Sequence, residues 1–193
     1  MRIRSLLALL ALLLPLVACD QATKALAVAH LKGAGRIQIV DSMFTLVYAE
    51  NPGAFLGLGR SLPENVRWFV FTVAVALLLG GVTFFMLRKK LAPLAFAGLA
   101  ILVAGGVGNL VDRIARPGGR VVDFAQLALP SGSIGGVRLQ TGVFNLADVQ
   151  IFLGAGLMLA SSWRRRKEDA DDAPPEAQPP SPPGASPGSA FGA

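Results

Sequence analysis

Apolar residues fall along this chain in four long blocks, at about 6–28, 68–87, 94–111 and 144–163. Each is long enough to cross a hydrocarbon core about 30 Å thick at about 1.5 Å per helical residue. Residues 68–87 contain no ionisable side chain, and 94–111 carries glycines at 98, 105, 106 and 108 that permit close helix approach. The pattern predicts an α-helical integral membrane protein with four transmembrane helices. Between the first two blocks the period changes. Ile37-Gln38-Ile39-Val40 and Met43-Phe44-Thr45-Leu46-Val47-Tyr48 are rich in β-branched and aromatic residues, with Asp41-Ser42 suited to a turn. This predicts a small extracytoplasmic β-sheet and loop region over residues 33–60. Asn51-Pro52-Gly53-Ala54-Phe55-Leu56-Gly57 then reads as a turn with an apolar tip. The residues between Phe124 and Phe144, with Gly132, Gly135 and Gly136, read as a long flexible loop. From Glu168 the chain is acidic and then rich in Pro, Ser, Ala and Gly, so residues 1–167 form the membrane domain and 168–193 a disordered cytoplasmic tail.

Composition agrees with this class: hydrophobic residues make up 53% and charged residues 16%, and mean hydropathy is +0.56. The net charge of +6 does not imply a nucleic-acid partner, because the basic residues form no aromatic-studded patch. They report topology instead. Arg2 and Arg4, then Arg88, Lys89 and Lys90, then Arg164, Arg165, Arg166 and Lys167 crowd three short segments. Lys32, Arg36, Arg60, Arg67, Arg113, Arg116, Arg120 and Arg138 are spread over two much longer ones. That density places both termini in the cytoplasm and the long loops outside. Leu16-Val17-Ala18-Cys19 looks like a lipoprotein cleavage box, but apolar character resumes after Lys24, which favours a retained first helix. The single cysteine allows no internal disulfide, and the single histidine, His30, argues against a His-rich metal site.

Ionisable residues inside apolar blocks are costly and therefore functional candidates. Asp20 and Lys24 share a helix face at i, i+4 and can pair. With the orientation above, Asp20, the group Asn109, Asp112 and Arg113, and the group Asn145 and Asp148 all fall near the outer leaflet. Asp123 lies in the loop that joins the last two groups. Asp123 and Asp148 are the candidate catalytic carboxylates: two sharing a site cannot both ionise cheaply, so one holds a proton while the other activates water. No Gly-x-Ser-x-Gly or His-Glu-x-x-His motif offers a serine or zinc route. Asn145 at i−3 to Asp148 and Asn109 at i−4 to Arg113 are placed to orient carboxylates. Interfacial salt bridges and ion-pathway carboxylates, the latter in a small transporter or channel, stay open on spacing alone.

The segments Asp20-Gln21-Ala22-Thr23-Lys24, Asn51-Pro52-Gly53-Ala54-Phe55, Gly108-Asn109-Leu110-Val111-Asp112-Arg113, Val121-Val122-Asp123-Phe124 and Phe144-Asn145-Leu146-Ala147-Asp148 occur in that order. This set resembles the lipoprotein signal peptidase (signal peptidase II) family of bacterial membrane aspartic peptidases, over roughly Leu6 to Arg166. The resemblance implies Asp123 and Asp148 as the catalytic pair, with Asn109, Arg113 and Asn145 ordering the site. It implies that Asp20, Lys24 and Asn51 support the site or contact substrate, and that no metal or other cofactor takes part. It further implies a diacylglyceryl-modified prolipoprotein as substrate, cut on the N-terminal side of its lipidated cysteine. The implied setting is the bacterial inner membrane, with membrane lipids as surroundings, the active site at the outer leaflet, and a monomer as the working unit. The loop after Asn51 departs from the family's Asn-x-Gly-Ala-Ala-Phe, since Phe55 directly follows Ala54.

Overall fold

The computed structural model describes residues 3–40, 43–53, 59, 61–134 and 137–171. Among them, four helices are long and apolar enough to cross a membrane: Ile3–Leu31, Glu64–Arg88, Pro93–Ala115 and Leu146–Asp169. The first runs unbroken through Pro15, a residue that membrane helices tolerate. The second carries π-helical turns over Phe69–Ala74, which bring Phe71 beneath the guanidinium of Arg113 at 5.6 Å. The third opens with Pro93 in its first turn, where a missing N–H costs nothing, and ends before Pro117 and the positive-φ residues Gly118 and Gly119. It reaches Ala115, beyond the predicted 111, so Asp112 and Arg113 are fixed inside a helical turn. The fourth starts at Leu146 and stays helical to Asp171, past the 167/168 boundary read from composition. The rest of the predicted tail lies outside the described residues, as do Arg2, Asp41, Ser42, Arg60 and the loop tip at 54–58.

Side chains that face lipid remain apolar and exposed, among them Leu7, Leu14, Leu77, Leu78, Phe152 and Leu159. Leu9, Leu79, Met86, Ala100 and Val103 form a core where the first three helices meet. The third and fourth helices pack antiparallel along small residues: Gly98 meets Gly154, and Gly105 meets the carbonyl of Ala147. A Cβ on Gly154 would lie 2.5 Å from the Gly98 carbonyl oxygen, so this contact is backbone on backbone.

Four strands, β1 (Arg36–Val40), β2 (Phe44–Asn51), β3 (Val121–Ile134) and β4 (Val137–Gln140), form an antiparallel sheet in the order β1-β2-β3-β4. The β1–β2 hairpin matches the sequence pattern. The segment after Phe124, read above as a loop, is instead mostly strand: β3 pairs with β2 over Leu127 to Val121, and β4 folds back on β3. Gly132 lies within β3, and Gly135 and Gly136 lie outside the described residues. The pairing Ala49↔Asp123 and Asn51↔Val121 fixes Asp123 beside Asn51. Phe144 then bridges to Ala125 through backbone hydrogen bonds of 2.8 and 2.9 Å, pinning the start of the fourth helix to β3.

Replacing Gly154 by Ala should force the third and fourth helices apart and cost about 1–3 kcal/mol, read as a lowered thermal midpoint in detergent. Gly156→Ala, where nothing lies within 4 Å of the added carbon, should leave that midpoint unchanged or raised.

Candidate active site

Asp148 is positioned by the way its helix begins. Asn145 is the N-cap: its Oδ1 accepts the Asp148 N–H at 3.0 Å, and Asp148 Oδ2 accepts the Asn145 N–H at 3.2 Å. This reciprocal pair is a capping box in which the candidate catalytic acid occupies the third helical position. The intervening N–H, of Ala147, donates to Asp20 Oδ1 at 2.9 Å. Asn109 Nδ2 donates to the other oxygen of Asp148 at 2.9 Å. The carboxylate therefore sits at the positive end of a helix dipole with its rotamer fixed from two helices.

Asp123 arrives from β3. Its Oδ1 accepts from Asn145 Nδ2 at 2.7 Å and its Oδ2 from Asn51 Nδ2 at 3.1 Å. Asn145 thus holds both carboxylates, one through its amide side chain and one through its backbone. Asp123 is buried, and its pKa is pushed up to about 7, chiefly by loss of hydration and next by the charge of Asp148. Donation from Asn51 and Asn145 and the charge of Lys24 work against that rise.

A second cluster lies directly behind. Lys24, fully buried, pairs with Asp20 at 2.8 Å and Asp112 at 3.3 Å and donates to Asn109 Oδ1 at 2.9 Å. Gln21 bridges Asp20 to the Gly108 carbonyl, and Asp112 accepts the Val122 N–H at 3.0 Å while pairing with Arg116 at 3.3 Å. Asp20 therefore ties the first helix to the fourth, and Asp112 ties the third helix to β3 one residue before Asp123. Asn109 passes this order to the dyad, because it accepts from Lys24 and from Asn145 and donates to Asp148.

All eight residues singled out in the sequence gather here: Asp123, Asp148, Asn109, Asn145, Asn51, Asp20, Lys24 and Arg113. Arg113 acts on the site through the Asn51 turn, and its charge is close enough to act on Asp123 and Asp148. Instead of pairing with a carboxylate, its Nη2 donates to the Gly53 carbonyl at 2.8 Å, and the guanidinium lies over Phe71. With Asn51 Oδ1 accepting from Gly53 N at 3.0 Å, it holds the turn that presents Asn51 to Asp123. Sequence reasoning placed Asp112 at the right depth but gave it no role in the site; its i, i+4 spacing to Arg116 was the available signal. Among the described residues no group of three or more His, Cys, Asp or Glu side chains is arranged to hold a metal ion.

Four spanning helices, a sheet seated on one end of the bundle and a buried cluster of carboxylates, amides and one lysine at their junction define a multi-pass membrane protein with an enzyme-like polar site. Residues 12–164 match the family described as Signal peptidase (SPase) II, and the chain belongs to that family of membrane peptidases. It is similar to the lipoprotein signal peptidase of Chlorobium phaeovibrioides, 34% identical over 150 residues that cover 77% of this chain and 85% of the relative. The lipoprotein signal peptidase of Pelodictyon phaeoclathratiforme is 35% identical over 150 residues, 77% and 85% of the two chains. A solved bacterial membrane enzyme superposes with a TM-score of 0.65 over 80% of this chain and 92% of its own, at 20% identity, a likeness of fold.

Two outcomes follow from these contacts. Lys24→Met removes the ammonium that two buried carboxylates share and should cost about 3–5 kcal/mol in unfolding measurements, whereas Lys32→Met, which removes an exposed pair with Glu50 and a contact over the Tyr48 ring, should cost about 1 kcal/mol. The second concerns pH. The folded chain keeps the Asp123 proton up to about pH 7, and an unfolded chain releases it near 3.8, so between those values the folded state binds more protons and stability falls as pH rises. Thermal midpoints taken from pH 4 to 8 should decline more steeply for wild type than for Asp123→Asn; parallel curves would contradict the shift.

Proposed function

We propose that this protein is an intramembrane aspartic endopeptidase that removes signal peptides from diacylglyceryl-modified prolipoproteins, cutting on the N-terminal side of the lipidated cysteine. The observation that carries the reading is the convergence of Asp123 and Asp148 on the single residue Asn145. The substrate follows from family membership and from the names of its relatives. The pair shares one proton near neutral pH. The ionised carboxylate takes a proton from water, whose oxygen attacks the scissile carbonyl while the protonated carboxyl donates to the carbonyl oxygen. The resulting diol collapses as the C–N bond breaks: the leaving amine accepts a proton from the carboxyl that removed one from water, and a diol hydroxyl returns its proton to the other carboxylate, which restores the singly protonated pair. Asn51, Asn109 and Asn145 hold the carboxyl rotamers, Lys24 with Asp20 fixes Asn109 and the helix start, and Arg113 fixes the Asn51 turn. All these groups come from one chain, so a monomer suffices.

The working orientation is that of a bacterial inner-membrane protein with both termini in the cytoplasm, the sheet outside as a cradle, and the dyad at the outer leaflet beside lipid. Two features favour a retained first helix over lipidation at Cys19. Leu9 is packed in the core, and the Leu16 carbonyl accepts from Gln150 Nε2 at 3.1 Å, so residues ahead of Cys19 are built into the bundle. The test is cleavage of a diacylglyceryl-modified prolipoprotein by the purified chain. Wild type should cut before the lipidated cysteine, and Asp123→Asn and Asp148→Asn, each folded, should lose roughly a thousandfold or more in rate. A folded variant with near wild-type activity removes that aspartate from the chemistry; a wild type that never cuts removes the reading.

A further inference from the structure

Beyond the Gly98–Gly154 contact, at the end of the bundle remote from the dyad, the start of the third helix lies against the last turns of the fourth. Pro93 and Leu94 on one side, and Ser161, Arg164, Arg165 and Glu168 on the other, enclose a cleft of about 290 Å³. Its donors are unspent. The third helix has no side-chain cap; its first intrahelical bond is from Phe96 N to the Ala92 carbonyl, which leaves the Leu94 and Ala95 N–H groups without a helical partner. Ser161 is 4% exposed, lines the cleft, and its hydroxyl makes no hydrogen bond among the described residues. Arg164 and Arg165 enter no ion pair among the described residues, and Lys89 and Lys90 stand just ahead of the helix.

We propose that this cleft is a binding site for a phosphate-bearing anion, and that an anionic phospholipid of the leaflet opposite the dyad supplies it through its phosphodiester. A helix N-terminus and two guanidiniums match a phosphodiester in charge and in donor geometry. A basic pocket between membrane helices at a bilayer surface is where such headgroups are held. The buried Ser161 hydroxyl adds a neutral donor, and Glu168 gives an acceptor for a headgroup hydroxyl. The occupant would clamp the ends of the same two helices that, further along, carry Asn109 and Asp148.

Native mass spectrometry of the full-length protein in detergent tests this with phosphatidylglycerol, phosphatidylcholine and inorganic phosphate as probes. Phosphatidylglycerol should bind in preference to phosphatidylcholine and raise the thermal midpoint. Arg164→Gln with Arg165→Gln should weaken it by roughly ten- to thirtyfold, and Ser161→Ala by a few fold. Arg164→Lys with Arg165→Lys should keep most of the binding. Arg166→Gln with Lys167→Gln removes the same charge from the neighbouring cleft beside Trp163 and should have little effect. Displacement of the lipid by millimolar inorganic phosphate would keep the site but assign it to the free ion. Equal losses from both double variants, or no preference for phosphatidylglycerol, would overturn the proposal, since unspecific attraction to a basic surface would then account for the binding.

Discussion

The buried ammonium of Lys24 is the constraint from which the rest of the site follows. A lysine with no exposed surface is tolerable only when opposite charge and acceptors surround it, and Asp20, Asp112 and Asn109 do so. One cation against two carboxylates leaves a negative excess, which Arg116 offsets from the rim through the second oxygen of Asp112. The cluster is thus closed upon itself. Its ammonium is paired with structural acids, and the direct hydrogen bonds to the two candidate catalytic acids come from neutral groups: the amides of Asn51, Asn109 and Asn145 and the Asn145 backbone N–H. Arg113 bonds the Gly53 carbonyl, with its charge acting on Asp123 and Asp148 from nearby rather than bridging them. A cation bridging Asp123 and Asp148 would favour the doubly ionised pair; amides fix geometry without forcing ionisation, which suits the proposed dyad, in which one carboxyl holds a proton.

The same cluster explains the glycines. A Cβ on Gly108 would stand 2.5 Å from Asp20 Oδ2, and one on Gly105 would collide with the Ala147 carbonyl. Absent side chains on the third helix therefore make room for the carboxylate that caps the fourth helix and for the backbone turn that carries Asp148. Small residues in membrane helices are usually understood as aids to close packing. Here close packing and the polar site are one arrangement, because the residues that let the helices touch also let Asp20 reach the Ala147 N–H.

Much of this was legible in the sequence for physical reasons. Spanning helices are announced by length and apolarity, and charge inside them is costly enough that Asp20, Lys24 and Asp148 stand out. The β1–β2 hairpin showed in β-branched and aromatic residues. The β3–β4 hairpin did not, because Pro130, Gly132, Gly135 and Gly136 carry a loop's composition while β3 owes its form to pairing with β2, a partner about 75 residues away in sequence. The particular contact of Arg113 was not legible for a related reason. Helical spacing reports which side chains share a face, and the partner it takes, Gly53, belongs to another element. Asp123 and Asp148 showed no spacing that required them to meet; the meeting is made by the Phe144 bridge to Ala125, a backbone contact that leaves no trace in residue type.

Where the dyad stands follows from the kinds of backbone that carry it. A sheet with open edges cannot lie in hydrocarbon, because its unpaired N–H and C=O groups would go unsatisfied, so a carboxylate on β3 is held at or above the membrane surface. A carboxylate at the third position of a spanning helix is held at the end of that helix, where free N–H groups need acceptors in any case. A strand-borne and a helix-borne aspartate can meet only where sheet and helix start adjoin. At that boundary water is at hand for hydrolysis, while burial keeps the Asp123 pKa near 7. The Asn145 cap is the hinge of the arrangement, since it ends the approach from β4, begins the fourth helix and bonds both carboxylates.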